Sequence, residues 1–471
     1  MGSGAAGAVM AYELARRGKK VIVLEKGVRQ DPTTFEHNEL AMFIRLYKHS
    51  GMQMTSDHDI SIAQGSTVGG STVINNAIWL RPDLGRVLRD WSNAGAQVDR
   101  QQLEASYAAV ERSVQVSPLD TAVANAGLDV FTRGCAAAGI PSRVLENNRE
   151  GCIGCGWCNF GCRYNRKLSM LVTFIPWAEA RGAQVLDGCD DVTIDTAAGR
   201  ATAVSFVRGG ERNVVSADEV VVCAGAIGSS LVLLQSGIKQ RGNVGRGLHA
   251  LCGITVSADM DTVVNGFDGI GLTALAEAGD ECVIETFFSP PLVYSLGLGG
   301  WFADHFRNMQ RYANYVQGGV MVGTDPVGRV RLDWRKRPAI DLKVSKRDIE
   351  RLKAGVKTLA RIFLAGGARR VLPATHRPLE FRQESDLSRI DSLVRRSEDL
   401  FLGTAHPQGG NAMGSDANRC VVGNDFRVHG FDNLFVVDAS VFPTNIWANC
   451  QATVMALSHY AARYVSSEAT L

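Results

Sequence analysis

Two stretches of this chain carry residue types at spacings that point to chemistry. The first opens the sequence: Gly2, Ser3, Gly4, Ala5, Ala6 and Gly7 form G-x-G-x-x-G. Glycines at that spacing permit a tight turn, a close backbone approach to a pyrophosphate and close helix packing. Glu25 follows at the end of an apolar run, where a carboxylate can accept hydrogen bonds from an adenosine ribose. Together they indicate a dinucleotide site. The second stretch is GCIGCGWCNFGC, with Cys152, Cys155, Cys158 and Cys162 at C-x2-C-x2-C-x3-C. That is the ligand run of a bacterial-ferredoxin iron–sulfur cluster, except that Arg163 stands where proline is usual. Structural zinc uses two Cys pairs separated by a longer loop, so a 4Fe-4S or 3Fe-4S cluster fits better than zinc, and a loop without metal is the third reading.

The elements that position these residues read as follows. A helix from about Ala5 to Arg17, broken by Gly18, presents its N-terminal N–H groups to phosphate. Val21 to Leu24 reads as a buried parallel strand. A strand normally precedes the glycines, so the chain is expected to lack its first strand, about ten residues by the needs of the fold. Gly65, Gly69, Gly70, Ser71, Thr72, Asn75 and Asn76 form a second loop of bare N–H groups and small donors. Helical patterns cover Arg86 to Val116 and Asn125 to Ala138. Met170 to Gly182 reads as a strand-like start followed by a helix. A second strand–turn–helix runs from Ala217 to Ile238. From Leu248 to Leu402 the composition shifts to β-branched and aromatic strands, an antiparallel sheet with one helix from about Lys346 to Leu364. A strand from Leu434 ends at Asp438, and a helix from about Gln451 to Val465 follows.

Size and composition allow two or three domains sharing a large core: 471 residues, 45% hydrophobic and 21% charged. A net charge of +2 gives no case for nucleic acid or an acidic membrane surface. No run is long and apolar enough for a transmembrane segment. The seven scattered cysteines sit mostly in apolar strings and read as buried reduced thiols, which fits a cytoplasmic location.

Five ordered motifs resemble the glucose–methanol–choline (GMC) family of flavin oxidoreductases: GSGAAG with Glu25, STVGGSTVINNAIWLR, VVVCAGAIGSS, AHPQGGNAMG, and NLFVVDASVFP with the closing helix. The resemblance implies FAD and an α/β Rossmann-like domain built from discontinuous segments (1–85, 165–247 and 403–471). It also implies a helical segment with the cysteines (86–164) and a substrate domain with a mainly antiparallel sheet (248–402). By that resemblance Gly2, Gly4, Ala5, Ala6 and Gly7 hold the pyrophosphate and Glu25 the ribose. Gly70, Ser71 and Asn75 run along the flavin, Ala224 and Gly225 lie near the adenine side, and Asp438 and Ala439 near the ribityl chain and pyrophosphate. His406 takes the catalytic histidine position, in what reads as a glycine-rich loop, and Asn449 the place of a second His or Asn. Cys450 follows where many relatives have proline.

The implied chemistry is oxidation of an alcohol CH–OH to a carbonyl. A neutral imidazole can take the hydroxyl proton and the flavin the hydride. An iron–sulfur cluster would carry electrons onward to a one-electron or quinone acceptor. The alternatives are an oxidase that gives hydrogen peroxide, with a structural Cys loop, and a non-catalytic flavin protein. FFSPPLVYSLGLGGWF, from Phe287 to Phe302, reads as a wall for a bulky hydrophobic alcohol, as core, or as a partner face.

Overall fold

The computed structural model describes residues 1–279 and 282–466. Residues 280–281 and 467–471, inside the expected 248–402 and 403–471 segments, lie outside that description.

The first glycine motif folds as its spacing requires. Gly2 has φ +93°, and a Cβ on it would meet the Cys223 carbonyl oxygen at 2.4 Å; one on Gly7 would meet the Gly2 carbonyl oxygen at 1.9 Å. Neither position admits a side chain. The turn opens the Ala5–Arg16 helix, whose Ala6, Ala8, Val9, Met10 and Ala11 are buried. The Ile22–Leu24 strand follows and pairs in parallel with Gln184–Leu186. A second parallel pair joins Val220–Val222 to Leu434–Val436. Met1 lies between the two pairs. Its ammonium donates to the Val221 carbonyl at 2.7 Å, its carbonyl accepts from Cys223, and Gly2 N–H donates to Leu24. Met1 and Gly2 therefore stand where the expected strand before the glycines would run.

The larger layer is a ten-stranded sheet organised on one long strand, Arg246–Met260. Tyr315–Gly323 pairs antiparallel with it, and Val283–Phe287 pairs with Tyr315–Gly323. Ala368–Pro373 and Leu402–Gly410 also pair antiparallel with the long strand. Ile60–Ile62 lies parallel to Leu402–Gly410. The sheet thus draws Ile60–Ile62, Ser142–Val144 and all but the first residue of Leu402–Gly410 from outside the expected Leu248 to Leu402 segment. One face is covered by the Lys346–Ala365 helix, which buries Ile349, Leu352, Val356, Leu359 and Phe363, a stripe at helical spacing. Ser345 and Asp348 form a capping box at its start.

Three sequence expectations change in detail. The Arg86–Val116 pattern is two helices, Leu84–Asn93 and Arg100–Ser113, each capped by an aspartate, Asp83 and Asp99. Gly95, at φ +93°, ends the first. The strand-like start at Met170 is not a strand. Met170 N–H donates to Thr72 Oγ1 at 3.0 Å and Thr173 Oγ1 to the Ser169 carbonyl at 2.8 Å, so local side chains take the ladder's place. Only Phe174–Glu179 is helical. His406, expected in a loop, sits inside the Leu402–Gly410 strand, opposite Leu251. Pairing with the long strand overrides the loop-like Pro and Gly content around it.

Candidate active site

The nucleotide end is built where the two glycine turns meet. Ser3 N–H and Oγ both donate to Glu25 Oε2 at 2.8 Å, and Gly27 N–H donates to Oε1 at 2.8 Å. Glu25 is thereby fixed at the strand end, with lone pairs left for a ribose. Ser3 Oγ also accepts from Gly69 N–H at 3.0 Å, tying the first turn to the second. A Cβ on Gly70 would come within 2.8 Å of Gly4 Cα, so the turns touch backbone to backbone. Ser71 Oγ accepts from Gly65 N–H at 3.0 Å, closing the second turn.

Asp438 is buried and accepts three hydrogen bonds. Oδ2 takes Gly225 N–H at 2.9 Å and the Ser229 hydroxyl, and Oδ1 takes Ser440 N–H at 2.8 Å. Burial raises its pKa, against those donors. Ala224 caps the Gly225–Gln235 helix, and Ala439 begins a short helical turn after Asp438. The two strand–turn units therefore join through one carboxylate.

His406 and Asn449 come together as the motifs imply. Asn449 Nδ2 lies 3.3 Å from His406 Nε2. If the amide donates there, Nε2 is the unprotonated nitrogen. Burial alone lowers the His406 pKa to about 4, so the imidazole is neutral near pH 7. Nearby, Asn75 Nδ2 donates to Gln451 Oε1, so the second glycine loop touches the start of the last helix, two residues past Asn449. His406 Nδ1, Asn449 Oδ1, Gln451 Nε2 and both polar atoms of Asn411 are buried without a protein partner. Such orphaned groups call for a bound polar ring or substrate, and an isoalloxazine with an alcohol beside it fits that set.

The four cysteines line one small pocket, with Arg149, Arg166 and Lys167 also in its wall. All four are free thiols. Gly154 N–H donates to Cys152 Sγ at 3.5 Å, Arg166 and Lys167 N–H to Cys162 Sγ at 3.3 and 3.4 Å. Among the described residues no three His, Cys, Asp or Glu side chains are grouped so as to hold a metal ion. The segment is strapped to the second glycine loop. Lys167 Nζ donates to the carbonyls of Val73, Asn75 and Cys158 at 2.7, 2.8 and 2.7 Å, and Asn159 Nδ2 to that of Ile74 at 2.9 Å.

Comparison with known proteins decides the family. Residues 43–251 match the N-terminal GMC oxidoreductase family model, residues 324–458 the C-terminal one, and residues 1–30 an NAD(P)-binding Rossmann-like domain. The chain belongs to the GMC oxidoreductase family. It is 29% identical to an uncharacterized GMC-type oxidoreductase of Mycobacterium tuberculosis, over 97% of this chain and 74% of that one. It is 27% identical to a long-chain-alcohol oxidase of Arabidopsis thaliana, over 98% of this chain and 67% of that one. Among solved structures, pyridoxine 4-oxidase from Mesorbium loti superposes with a TM-score of 0.74 at 18% identity, covering 100% of this chain and 99% of that chain.

As a GMC oxidoreductase the protein is a flavoprotein, and FAD is the dinucleotide its α/β fold takes. Two further histidines are engaged elsewhere: His429 Nε2 meets the Gly414 carbonyl at 3.0 Å, and His459 Nδ1 meets Ser106 Oγ at 3.0 Å. The Phe287–Phe302 stretch divides. Phe288, Tyr294 and Leu298 are buried in a small cluster of their own, whereas Leu296, Trp301 and Phe302 are exposed. Sequence reading missed Ser3, a small residue with no motif weight, which bonds both Glu25 and Gly69.

Proposed function

We propose that this GMC oxidoreductase oxidises an alcohol to a carbonyl, with His406 as proton acceptor and Asn449 as holder of the alcohol oxygen. The 3.3 Å pair of Asn449 Nδ2 and His406 Nε2 carries the reading. An alcohol oxygen set between these nitrogens accepts from the amide and presents its own proton to the imidazole. That removal readies the carbinol carbon to give up a hydride. Bound FAD supplies the hydride acceptor. Gly2, Gly4, Ala5, Ala6 and Gly7 hold the pyrophosphate, Glu25 the ribose, and Gly70, Ser71 and Asn75 the flavin side. Ala224 and Gly225 line the adenine side, and Asp438 and Ala439 the ribityl end. The orphaned Asn411, Gln451 and Asn449 atoms support a polar ring between these groups.

By their spacing Cys152, Cys155, Cys158 and Cys162 would be the ligands of a 4Fe-4S or 3Fe-4S cluster, which when bound would carry single electrons to a one-electron acceptor protein or a quinone. Their loop touches the backbone of Val73 and Asn75 through Lys167. The free thiols suit a reducing cytoplasm. Among the described residues no helix is long and apolar enough to cross a membrane. The substrate class is a bulky hydrophobic alcohol, in line with the long-chain-alcohol oxidase relative.

That relative's name also favours a second reading, in which oxygen reoxidises the flavin and gives hydrogen peroxide. Turnover of a long-chain primary alcohol, followed in air by peroxide formation and without air by reduction of a one-electron dye, separates the two. Dye reduction far faster than peroxide release supports the dehydrogenase; peroxide stoichiometric with aldehyde overturns it.

A further inference from the structure

We infer that Trp447 is a positioning residue of the alcohol site, acting through the main chain on Asn449. The inference rests on the alcohol-oxidation reading above. Asn449 ends a loop, residues 445–449, that leads into the Gln451–Val465 helix. Trp447 stands in the middle of that loop with φ +58°. This is the left-handed region, which glycine enters freely and a bulky indole rarely does. Such a conformation persists only where the surroundings over-determine it. Here both the backbone and the ring are held.

The backbone is stitched to the strand that carries the imidazole. Trp447 N–H donates to Asn445 Oδ1 at 2.8 Å, and Asn445 Nδ2 donates to the Ala250 carbonyl at 2.9 Å. Ile446 N–H donates to Gln408 Oε1 at 3.2 Å. Ala250 lies opposite Pro407, and its neighbour Leu251 opposite His406. A Cβ on Gly323, which pairs with Leu251, would meet the Asn445 side chain at 2.7 Å, so that strand is bare where the loop crosses it.

The ring is held by two cations. The Arg86 guanidinium lies over it at 4.2 Å from the centroid and that of Arg351 at 5.3 Å, within the range where a cation is drawn to an indole face. Each guanidinium is itself anchored by an aspartate of its own helix, Arg86 by Asp90 at 3.9 Å and Arg351 by Asp348 at 3.4 Å. The Leu84–Asn93 and Lys346–Ala365 helices thus grip one side chain. Two residues further on, Asn449 Nδ2 reaches His406 Nε2 at 3.3 Å. A turn about the Trp447 backbone would swing that amide away from the imidazole, and the held ring resists it. The indole offers no group to take the alcohol proton; its contribution is geometric.

The test uses the flavin-loaded enzyme mixed anaerobically with a long-chain primary alcohol, in wild type, Trp447→Phe and Trp447→Gly, each also in the Asn449→Ala background. Glycine accepts φ +58° without strain, so Trp447→Gly removes the ring and its hold but keeps the backbone path allowed. It should slow flavin reduction about tenfold or more on wild type and less than about twofold on Asn449→Ala, because the effect runs through that amide. Trp447→Phe keeps an aromatic face for the guanidinium groups and should stay within about threefold of wild type. Flavin occupancy and circular dichroism should be unchanged in both. Equal slowing by Trp447→Gly in the two backgrounds marks a purely structural ring and overturns the inference alone, as does a wild-type rate in Trp447→Gly. A wild-type flavin that no alcohol bleaches overturns the alcohol reading with it. Should Trp447→Gly not fold, Arg86→Met decides: it should slow wild type about threefold and leave the Asn449→Ala rate unaltered, and an equal loss in both backgrounds, or none in either, overturns the inference.

Discussion

At His406 the decisive feature is what does not surround the ring. No charged side chain offsets its burial, which holds the pKa down to about 4, well below the free imidazole value near 6.5. The sign follows directly: protonation removes the acceptor, so alcohol-driven flavin reduction should rise with pH through about 4 and then level off. Stopped-flow rates across that range check it; an acid limb centred near 6.5 would mean a solvated ring. His406→Ala should slow flavin reduction by ~10²-fold or more while the flavin spectrum stays bound-like, and Asn449→Ala should cost less. His406 could be picked out as a candidate because AHPQGGNAMG is a local pattern. Ser3 could not, because its role comes from a contact with Gly69 that only folding creates.

Elements explain why two glycine loops 66 residues apart act as one site. Ser3 bridges them, and Gly70, at φ +56°, packs on Gly4 with no room for a Cβ. Gly70→Ala should push the turns apart and weaken FAD binding about tenfold, or ~1.4 kcal/mol, with secondary structure kept. Flavin-to-protein absorbance after gel filtration measures it; full occupancy would contradict the packing argument. The strand–turn–helix units around Gly2 and Ala224 could be read from sequence since periodicity and turn glycines are local signals. The sheet order could not. Ile60–Ile62 is three residues long and becomes a strand only by lying beside Leu402–Gly410. His406 likewise looked like loop until the long central strand claimed it.

Across the whole molecule, the second glycine loop and the cysteine segment are joined by Lys167, whose Nζ donates to carbonyls of both. Protein purified without air should contain roughly three or four irons per chain with matching sulfide. Cys155→Ser should lose much of that iron, leave substrate-driven bleaching largely intact and slow turnover with a one-electron acceptor. Protein with no iron and full turnover would return the cysteines to a structural role and favour the oxidase. The central claim, alcohol oxidation at His406 and Asn449, has a more direct test. Flavin-loaded enzyme is mixed without oxygen with a panel of primary and secondary alcohols, and absorbance in the flavin band is followed. The account predicts that a bulky apolar alcohol bleaches the band, with one carbonyl product per flavin, and that His406→Ala slows this without releasing the cofactor. Failure of every alcohol to bleach a fully loaded flavin, or bleaching at the same rate without the imidazole, would contradict it.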